Sequence, residues 1–357
     1  MNKKKFIIAS GGTGGHFYPG LAVGRALKAQ GHDVLFFVRT KDISIEALKK
    51  YDLPYQEIDL IGLPRSINPL RHLQFLRKLF SSLLKTHRLL KEFRPNAAFG
   101  TGGYITFPLI LCAHLQHIPT ALHDSNSRLG LSNKICGRFA DLFLLGLPID
   151  RPFKNTVLVG TPLRQEFSEP VDRVATLQKL GLNEKQPVIL VMGGSQGAKG
   201  LNEAVSKLVA TMKDTQLIHL TGTRWFDALK EKYKRCPNVR ALPYSHEIHA
   251  LMKSADLILC RSGAGTIAEL IACKLPAICI PFPHAAGDHQ YYNAKVLADA
   301  GAADILREGE NLSSKLQALV QTKTPQILQQ MREAYEKVPV PNPLSAAEQI
   351  AQRLQTL

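Results

Sequence analysis

The 357-residue sequence has one tryptophan, six cysteines and a shortage of acidic side chains, 29 Asp+Glu against 45 Lys+Arg. Each scarcity removes a class of protein. The cysteines, at 112, 136, 236, 260, 273 and 279, form no C-x-x-C pair and mostly sit in apolar runs. They read as buried, reduced thiols of a cytosolic protein, not as a zinc site. No uncharged run approaches the roughly 20 residues of a spanning helix. The opening MNKKKFIIASGG has an apolar core of four residues, FIIA, short of the about seven that a secretion signal needs. A soluble or membrane-peripheral, cytoplasmic protein is expected.

What is present is a globular composition. Hydrophobic residues make up 45% and charged residues 21% of the chain, which excludes a disordered protein and lets each of two domains bury a core. The formal net charge of +16 points to an anionic partner: nucleic acid, an acidic membrane or a phosphorylated ligand. There is no recognised nucleic-acid motif and there are few aromatics, which argues against the first.

The chain opens with an apolar strand, Phe6 to Ala9, followed by Gly11-Gly12-Thr13-Gly14-Gly15-His16. Pro19 then reads as the start of a helix running to about Gln30, with Gly31 ending it and Val34 to Val38 as the next strand. Alternating strands and helices follow, the pattern of a parallel doubly wound sheet. Near the middle the pattern restarts. The strand-like Pro187 to Met192 enters Gly193-Gly-Ser-Gln-Gly-Ala198, and a helix follows from about Gly200. Two similar α/β domains are expected, 1–162 and 163–340, with the boundary near Gly160-Thr161-Pro162. After a proline-rich stretch, Ser345-Ala-Ala-Glu348 reads as a capping box opening a final helix, 343–357, that packs back on the first domain.

A glycine turn between strand and helix exposes backbone N–H groups at the positive end of the helix dipole, and its missing side chains let a phosphate approach. The sequence has four such turns, at 11–15, 100–103, 193–197 and 263–265. None fits G-x-x-x-x-G-K-[ST], which removes P-loop nucleotide hydrolases. The first does not keep G-x-G-x-x-G spacing, and Arg39 stands at the end of the second strand where a dinucleotide site has an acid. The densest stretch is 256–293. There a strand, Leu257 to Cys260, meets the fourth turn and a helix begins near Thr266. Glu269, one turn in, is either a ribose-diol acceptor or an acid that complements the helix dipole. Asp288, His289, Gln290 and Asn293 are either a sugar-binding cluster or a polar loop and cap.

Taken in order, Ser10-Gly-Gly-Thr-Gly-Gly-His16, Gly100-Thr-Gly-Gly-Tyr104, Gly160-Thr-Pro-Leu-Arg164, Gly193-Gly-Ser-Gln-Gly-Ala198, Arg261-Ser-Gly-Ala264, Glu269 and Asp288-His-Gln-Tyr-Tyr-Asn293 span essentially the whole chain. With these motifs the sequence resembles the MurG family of undecaprenyldiphospho-muramoylpentapeptide β-N-acetylglucosaminyltransferases. The resemblance implies a GT-B fold, two Rossmann-like doubly wound domains facing a cleft. The C-terminal domain would bind UDP-GlcNAc, and the N-terminal domain would bind the polyprenyl-diphosphate-linked muramoyl-peptide and the membrane. The reaction would be a single inverting displacement giving a β-1,4 link.

Roles carry over by position. Arg164 and Ser195 would contact the donor diphosphate with Gln196 nearby, and backbone at Tyr244-Ser245 would read the uracil. Ala264, Gly265 and Thr266 would supply N–H groups, Glu269 would take the ribose hydroxyls, and His289 and Gln290 would face the sugar. His16, Tyr104 and Asn126 would line the acceptor side, and Thr13, Gly14, Gly15 and Asn293 would also bind substrate. The family usually has His-Glu-Gln-Asn where this chain has His123-Asp124-Ser125-Asn126, some members have Gln where His289 stands, and Ser is common where Thr106 stands. The acceptor hydroxyl needs a base, and His16 and Asp124 are the candidates. There is no D-x-D in the sequence, which argues against a metal-bridged diphosphate; no metal and no cofactor is expected. The resemblance further implies an inner-membrane, peripheral location on the cytoplasmic side and contact with other cell-wall synthesis and division proteins.

Between Arg65 and Arg94, eight Lys/Arg and one acid, Glu92, interleave with Leu70, Leu73, Leu76, Phe80, Leu83 and Leu84 at helical spacing. Such a helix either lies on an anionic bilayer or packs its stripe into a core. Two other enzymes share the implied architecture: a transferase acting on another lipid such as diacylglycerol, and a UDP-GlcNAc epimerase.

Overall fold

The computed structural model describes residues 2–357 apart from 43, 65, 66, 195 and 213. The chain divides into two compact units, Met1–Gln165 with Val340–Leu357, and Glu166–Pro339. Ser195, and Arg65 at the head of the basic stretch, lie outside the described residues.

Among the described residues the first unit holds seven strands, β1 (Lys5–Ala9), β2 (Asp33–Arg39), β3 (Tyr55–Ile58), β4 (Ala97–Gly100), β5 (Thr120–Asp124), β6 (Leu142–Leu145) and β7 (Thr156–Leu158). They form one sheet in the order β3-β2-β1-β4-β5-β6-β7, every pairing parallel. Helices cover both faces, so the strands are apolar on both sides. Phe6 and Ile8 join one core, while Ile7 and Ala9 point into the other. The C-terminal helix Ala346–Thr356 closes the first of these cores with Ile350, Ala351 and Leu354.

The second unit repeats the plan. Its strands are β8 (Val188–Met192), β9 (Gln216–Leu220), β10 (Val239–Leu242), β11 (Leu257–Cys260), β12 (Ala277–Cys279) and β13 (Ala303–Ile305). Their order is β10-β9-β8-β11-β12-β13, again all parallel. In each sheet the chain winds outward from its first strand, then returns to that strand's other side and winds the opposite way. The reversal falls between β1 and β4 and between β8 and β11. Ligands of open α/β sheets bind beyond the carboxyl ends of the strands at such a switch point. All four glycine turns follow these four strands.

Local chemistry moves some boundaries. The first helix begins at Gly14, not at Pro19, which lies inside it. Thr13 supplies the cap position, and its carbonyl accepts from the N–H of Phe17 at 2.9 Å. Pro19 lies beyond the first turn and withholds one intrahelical hydrogen bond, to the carbonyl of Gly15. The fourth turn's helix spans Ala264–Cys273 and so starts two residues before Thr266. The Ser345 capping box does not form. A 3-10 turn, Pro343–Ser345, precedes the last helix, and the Ser345 hydroxyl donates back to the Asn342 carbonyl while Asn342 Oδ1 accepts from Leu344 N.

The helix Pro69–Phe93 carries two apolar stripes. One, with Leu79, Leu83, Leu89 and Phe93, packs on the core. The other faces out, with Leu70 72% and Phe80 64% exposed and Leu73, Leu76 and Leu84 also open. Five of the six apolar residues singled out from the sequence are therefore on the solvent side, and Leu83 alone turns inward. Among the described residues no helix is long and apolar enough to cross a membrane.

Candidate active site

In the first unit the turns after β1 and β4 are built around one imidazole. The backbone carbonyl of His16 is held by the hydroxyls of Ser10 at 3.1 Å and Thr101 at 2.8 Å. Its ring Nδ1 lies 3.0 Å from the carbonyl oxygen of Thr101. A carbonyl can only accept, so Nδ1 carries the proton, and in the neutral ring Nε2 is left with the lone pair. Gly102 and Gly103 pack against this ring. A Cβ at Gly102 would sit 2.9 Å from Nδ1 and Cε1, and both residues have positive φ, 100° and 74°. Glycine is required at 102 on both counts and favoured at 103 by its φ. Thr106 closes the second turn by donating to the Gly102 carbonyl and accepting from its N–H.

Asp124 has a different task. Its buried carboxylate accepts from Asn126 N, Asn126 Nδ2, Gly130 N and Asn133 Nδ2, all within 3.3 Å. With four donors on two oxygens it organises the loop that follows β5, an arrangement that leaves little for a substrate proton. His123 beside it is fully buried; burial holds its imidazole below the ordinary value against the opposing hydrogen bond to the Gly160 carbonyl. Tyr104 presents a hydroxyl that accepts from Arg39 Nη1 at 3.1 Å. Thr13, Gly14 and Gly15 are exposed at the start of their helix, whose first turn contains no acid. Arg164 belongs to this unit by its contacts and lies over the Tyr18 ring, 5.5 Å from its centroid.

In the second unit the switch point is lined mainly by backbone. Gly194 and Gly197 have φ of 90° and 73°. A Cβ at Gly197 would lie 2.1 Å from the Thr221 carbonyl oxygen, and one at Gly222 about as close to Gln196. Gln196 itself is exposed. Behind the turn runs a buried relay that sequence reading missed. Asn202 Nδ2 donates to the Thr221 carbonyl, and Asn202 Oδ1 lies 3.0 Å from His219 Nε2. His219 Nε2 must then carry the proton, leaving Nδ1 to accept from the Tyr233 hydroxyl at 3.0 Å. Burial pushes His219 down to about 4 and Tyr233 up, so both stay neutral.

The helix Ala264–Cys273 starts at Gly263 with no side-chain cap and no acid in its first turn. The N–H groups of Ala264, Gly265 and Thr266 precede the first intrahelical bond, from Ile267 to the Gly263 carbonyl. Glu269 is half-buried one turn further on. Asn293 is fully buried, and its Nδ2 donates to the Ser262 carbonyl. Gln290 Oε1 accepts from Phe282 N, so its Nε2 is the end it can offer. His289 Nδ1 lies 3.0 Å from the Ala286 carbonyl, which leaves Nε2 as acceptor. The preceding Asp288 has φ 54° and is tied to Arg307, whose guanidinium covers the Tyr291 ring at 4.1 Å. Tyr244 is 44% exposed, and Ser245 Oγ accepts from Glu247 N.

Comparison with known proteins agrees with this architecture. Residues 6–144 match the glycosyltransferase family 28 N-terminal domain and residues 188–354 its C-terminal domain. The sequence is 46% identical, over 99% of this chain and 100% of the relative, to the UDP-N-acetylglucosamine--N-acetylmuramyl-(pentapeptide) pyrophosphoryl-undecaprenol N-acetylglucosamine transferase of Elusimicrobium minutum. It is 35% identical to the Desulforudis audaxviator protein of the same name, over 98% of each. A crystal structure of Acinetobacter baumannii MurG superposes with a TM-score of 0.82 at 28% identity, covering 99% of this chain and 100% of that one. The two-unit parallel fold is that of the GT-B glycosyltransferases, and the chain belongs to the family of UDP-N-acetylglucosamine--N-acetylmuramyl-(pentapeptide) pyrophosphoryl-undecaprenol N-acetylglucosamine transferases.

Proposed function

We propose that this chain transfers N-acetylglucosamine from UDP-GlcNAc to the C4 hydroxyl of the N-acetylmuramyl-pentapeptide carried on pyrophosphoryl-undecaprenol, a step of peptidoglycan synthesis. The observation that carries the reading is that each unit has two phosphate-ready turns at its switch point, and this reaction brings together two diphosphates, one on each substrate. A diacylglycerol acceptor would leave one crevice without its anion, and an epimerase would need only one.

In this reading the acceptor O4–H gives its proton to His16 Nε2 as O4 bonds to the anomeric carbon. The bond from that carbon to the diphosphate breaks, and UDP leaves with the electron pair. Preorganised N–H groups of Ala264, Gly265 and Thr266, with Arg164, Ser195 and Gln196, stabilise the charge that develops there. Glu269 takes the ribose hydroxyls, the Tyr244-Ser245 backbone reads the uracil edge, and His289 Nε2 and Gln290 Nε2 face the sugar. Backbone at Thr13, Gly14 and Gly15, with Tyr104 and Asn126, lines the acceptor. Asp124 positions Asn126 and is not the base. The C-terminal unit is the donor half and the N-terminal unit the acceptor half.

The outward stripe of the Pro69–Phe93 helix, flanked by Arg71, Arg77 and Lys85, docks the chain as a peripheral protein on the anionic cytoplasmic face of the inner membrane. This brings the active site to its lipid-linked acceptor. Contact with other cell-wall synthesis and division proteins, and with it a role in cell shape and the cell cycle, follows from work at that surface.

The test is to incubate labelled UDP-GlcNAc with and without a short-chain polyprenyl-diphospho-muramoyl-pentapeptide. Label should enter the lipid phase only when acceptor is present. UDP release without acceptor would overturn the transferase reading in favour of epimerase or hydrolase chemistry.

A further inference from the structure

Arg39 is the last residue of β2, and the transferase reading above gives it no role. β2 lies beside β1, with Phe37 in register with Ala9 and the Phe37 carbonyl accepting from Ser10 N. Arg39 therefore rises from the same carboxyl edge of the sheet as the turn that carries His16. Its guanidinium is held from two sides. Nη1 donates to the Tyr104 hydroxyl at 3.1 Å, at the end of the second glycine turn. Nε lies 3.8 Å from Asp42 Oδ2, the same oxygen that accepts from the N–H of Gly12 in the first turn at 2.9 Å. Asp42 is buried, and its other oxygen accepts from the N–H and hydroxyl of Ser44. One carboxylate and one phenol thus fix a cation between the two turns.

The arrangement is poorly explained as structure alone. Nε is buried and without a hydrogen-bond partner, a costly state for a cationic donor. The side chain as a whole is nevertheless 42% exposed and can reach a ligand. A guanidinium has five N–H donors in a planar fork suited to carboxylate and phosphate oxygens. The Tyr104 hydroxyl, with a lone pair engaged by Nη1, turns its own proton elsewhere. The helix Gly14–Ala29, which follows the first glycine turn, has no acid in its first turn to repel an anion.

We propose that Arg39, with the Tyr104 hydroxyl, binds the diphosphate of the lipid-linked acceptor at the first switch point. The proposal rests on the transferase reading. Asp42 serves it as a positioning residue, orienting the guanidinium and the Gly12 turn through one oxygen. The peptide carboxylates of the acceptor are the other anions of suitable chemistry, and the experiment separates the two sources.

The test uses the full-length protein with a farnesyl-diphospho-muramoyl-pentapeptide acceptor and with farnesyl diphosphate, which has no sugar or peptide, as inhibitor. For R39Q the acceptor KM should rise about 10- to 100-fold, the loss expected when a charge-assisted hydrogen bond is removed, with the UDP-GlcNAc KM unchanged. Inhibition by farnesyl diphosphate, competitive with acceptor in the wild type, should weaken by a similar factor. R39K should recover part of both, because it keeps the charge and loses the fork. An unchanged acceptor KM in R39Q overturns the proposal. A raised acceptor KM with undiminished farnesyl diphosphate inhibition overturns the diphosphate assignment and transfers Arg39 to a peptide carboxylate. Equal losses in both substrates' KM mark a merely structural residue. If the wild type itself does not turn over this acceptor, the transferase reading has failed instead.

Discussion

The two units share one strand order and place their glycine turns at equivalent switch points, yet they furnish those points differently. In the first, side chains do the work: Ser10 and Thr101 hold the His16 backbone, and Gly102 and Gly103 form a flat wall against its ring. In the second, the backbone faces the crevice and the side chains stand behind it. Gly197 and Gly222 pack against each other's neighbours, and Asn202, His219 and Tyr233 form a neutral relay to the Thr221 carbonyl. A surface of N–H groups suits a diphosphate that must be bound through its charge. An imidazole with a fixed tautomer suits a proton that must be moved. In the proposed reading the same topology serves binding in one half and chemistry in the other.

The largest expected effect tests that division directly. His16→Ala should lower kcat about 10²- to 10⁴-fold, the range for a positioned general base, while UDP-GlcNAc affinity measured by calorimetry stays at the wild-type value. If donor affinity falls with kcat, the histidine belongs to binding and the contrast between the halves is lost.

The relay behind the second switch point gives the next effect. His219 has a folded value of about 4 against 6.5 unfolded. Between those values the unfolded chain takes up a proton that the folded protein refuses, so stability falls as pH is lowered from 6.5 to 4. This stability, about 3 kcal/mol, is fully present above 6.5 and gone below 4. Urea midpoints across this window should show it for wild type and not for His219→Gln, which starts lower but has a flatter pH dependence. An identical slope in both proteins would remove His219 from the account.

Glu269→Ala should weaken UDP-GlcNAc binding about tenfold, the value of hydrogen bonds to a charged group, with kcat at saturating donor much less affected. Together with His16→Ala it makes a reciprocal pair, and equal donor affinity in the two variants would break the comparison from the other side.

Much of this was legible in the sequence, for physical reasons. Buried parallel strands are short apolar runs, and a glycine turn followed by a helical pattern marks a βα junction, so both units and all four turns could be located. Pro19 misled because proline usually marks a helix start, whereas here it lies in the second turn and the glycines before it gave no helical signal of their own. That Asn293 Nδ2 also satisfies the Ser262 carbonyl could not be read from the motif, since the two residues meet only in the fold. The outward stripe of the Pro69–Phe93 helix was ambiguous because periodicity shows that a stripe exists and not what lies against it. The Asn202–His219–Tyr233 relay was beyond reach, since its members are separated in sequence and their roles exist only once β9 is in place.

The smallest effect asks how tightly the chemical half must be held. Thr101 is buried, and its hydroxyl donates to the His16 carbonyl at 2.8 Å while its own carbonyl accepts from the ring. Thr101→Val keeps the shape and the carbonyl but deletes the hydroxyl, leaving Ser10 as the remaining hydroxyl on the His16 carbonyl. The cost in stability should be about 1 kcal/mol. If the imidazole's placement depends on both anchors, kcat should also fall a few-fold with donor affinity untouched. If kcat is unchanged, the tautomer-setting contact to the Thr101 carbonyl is sufficient by itself, and the first switch point is held by its backbone more than its dense side-chain packing implies.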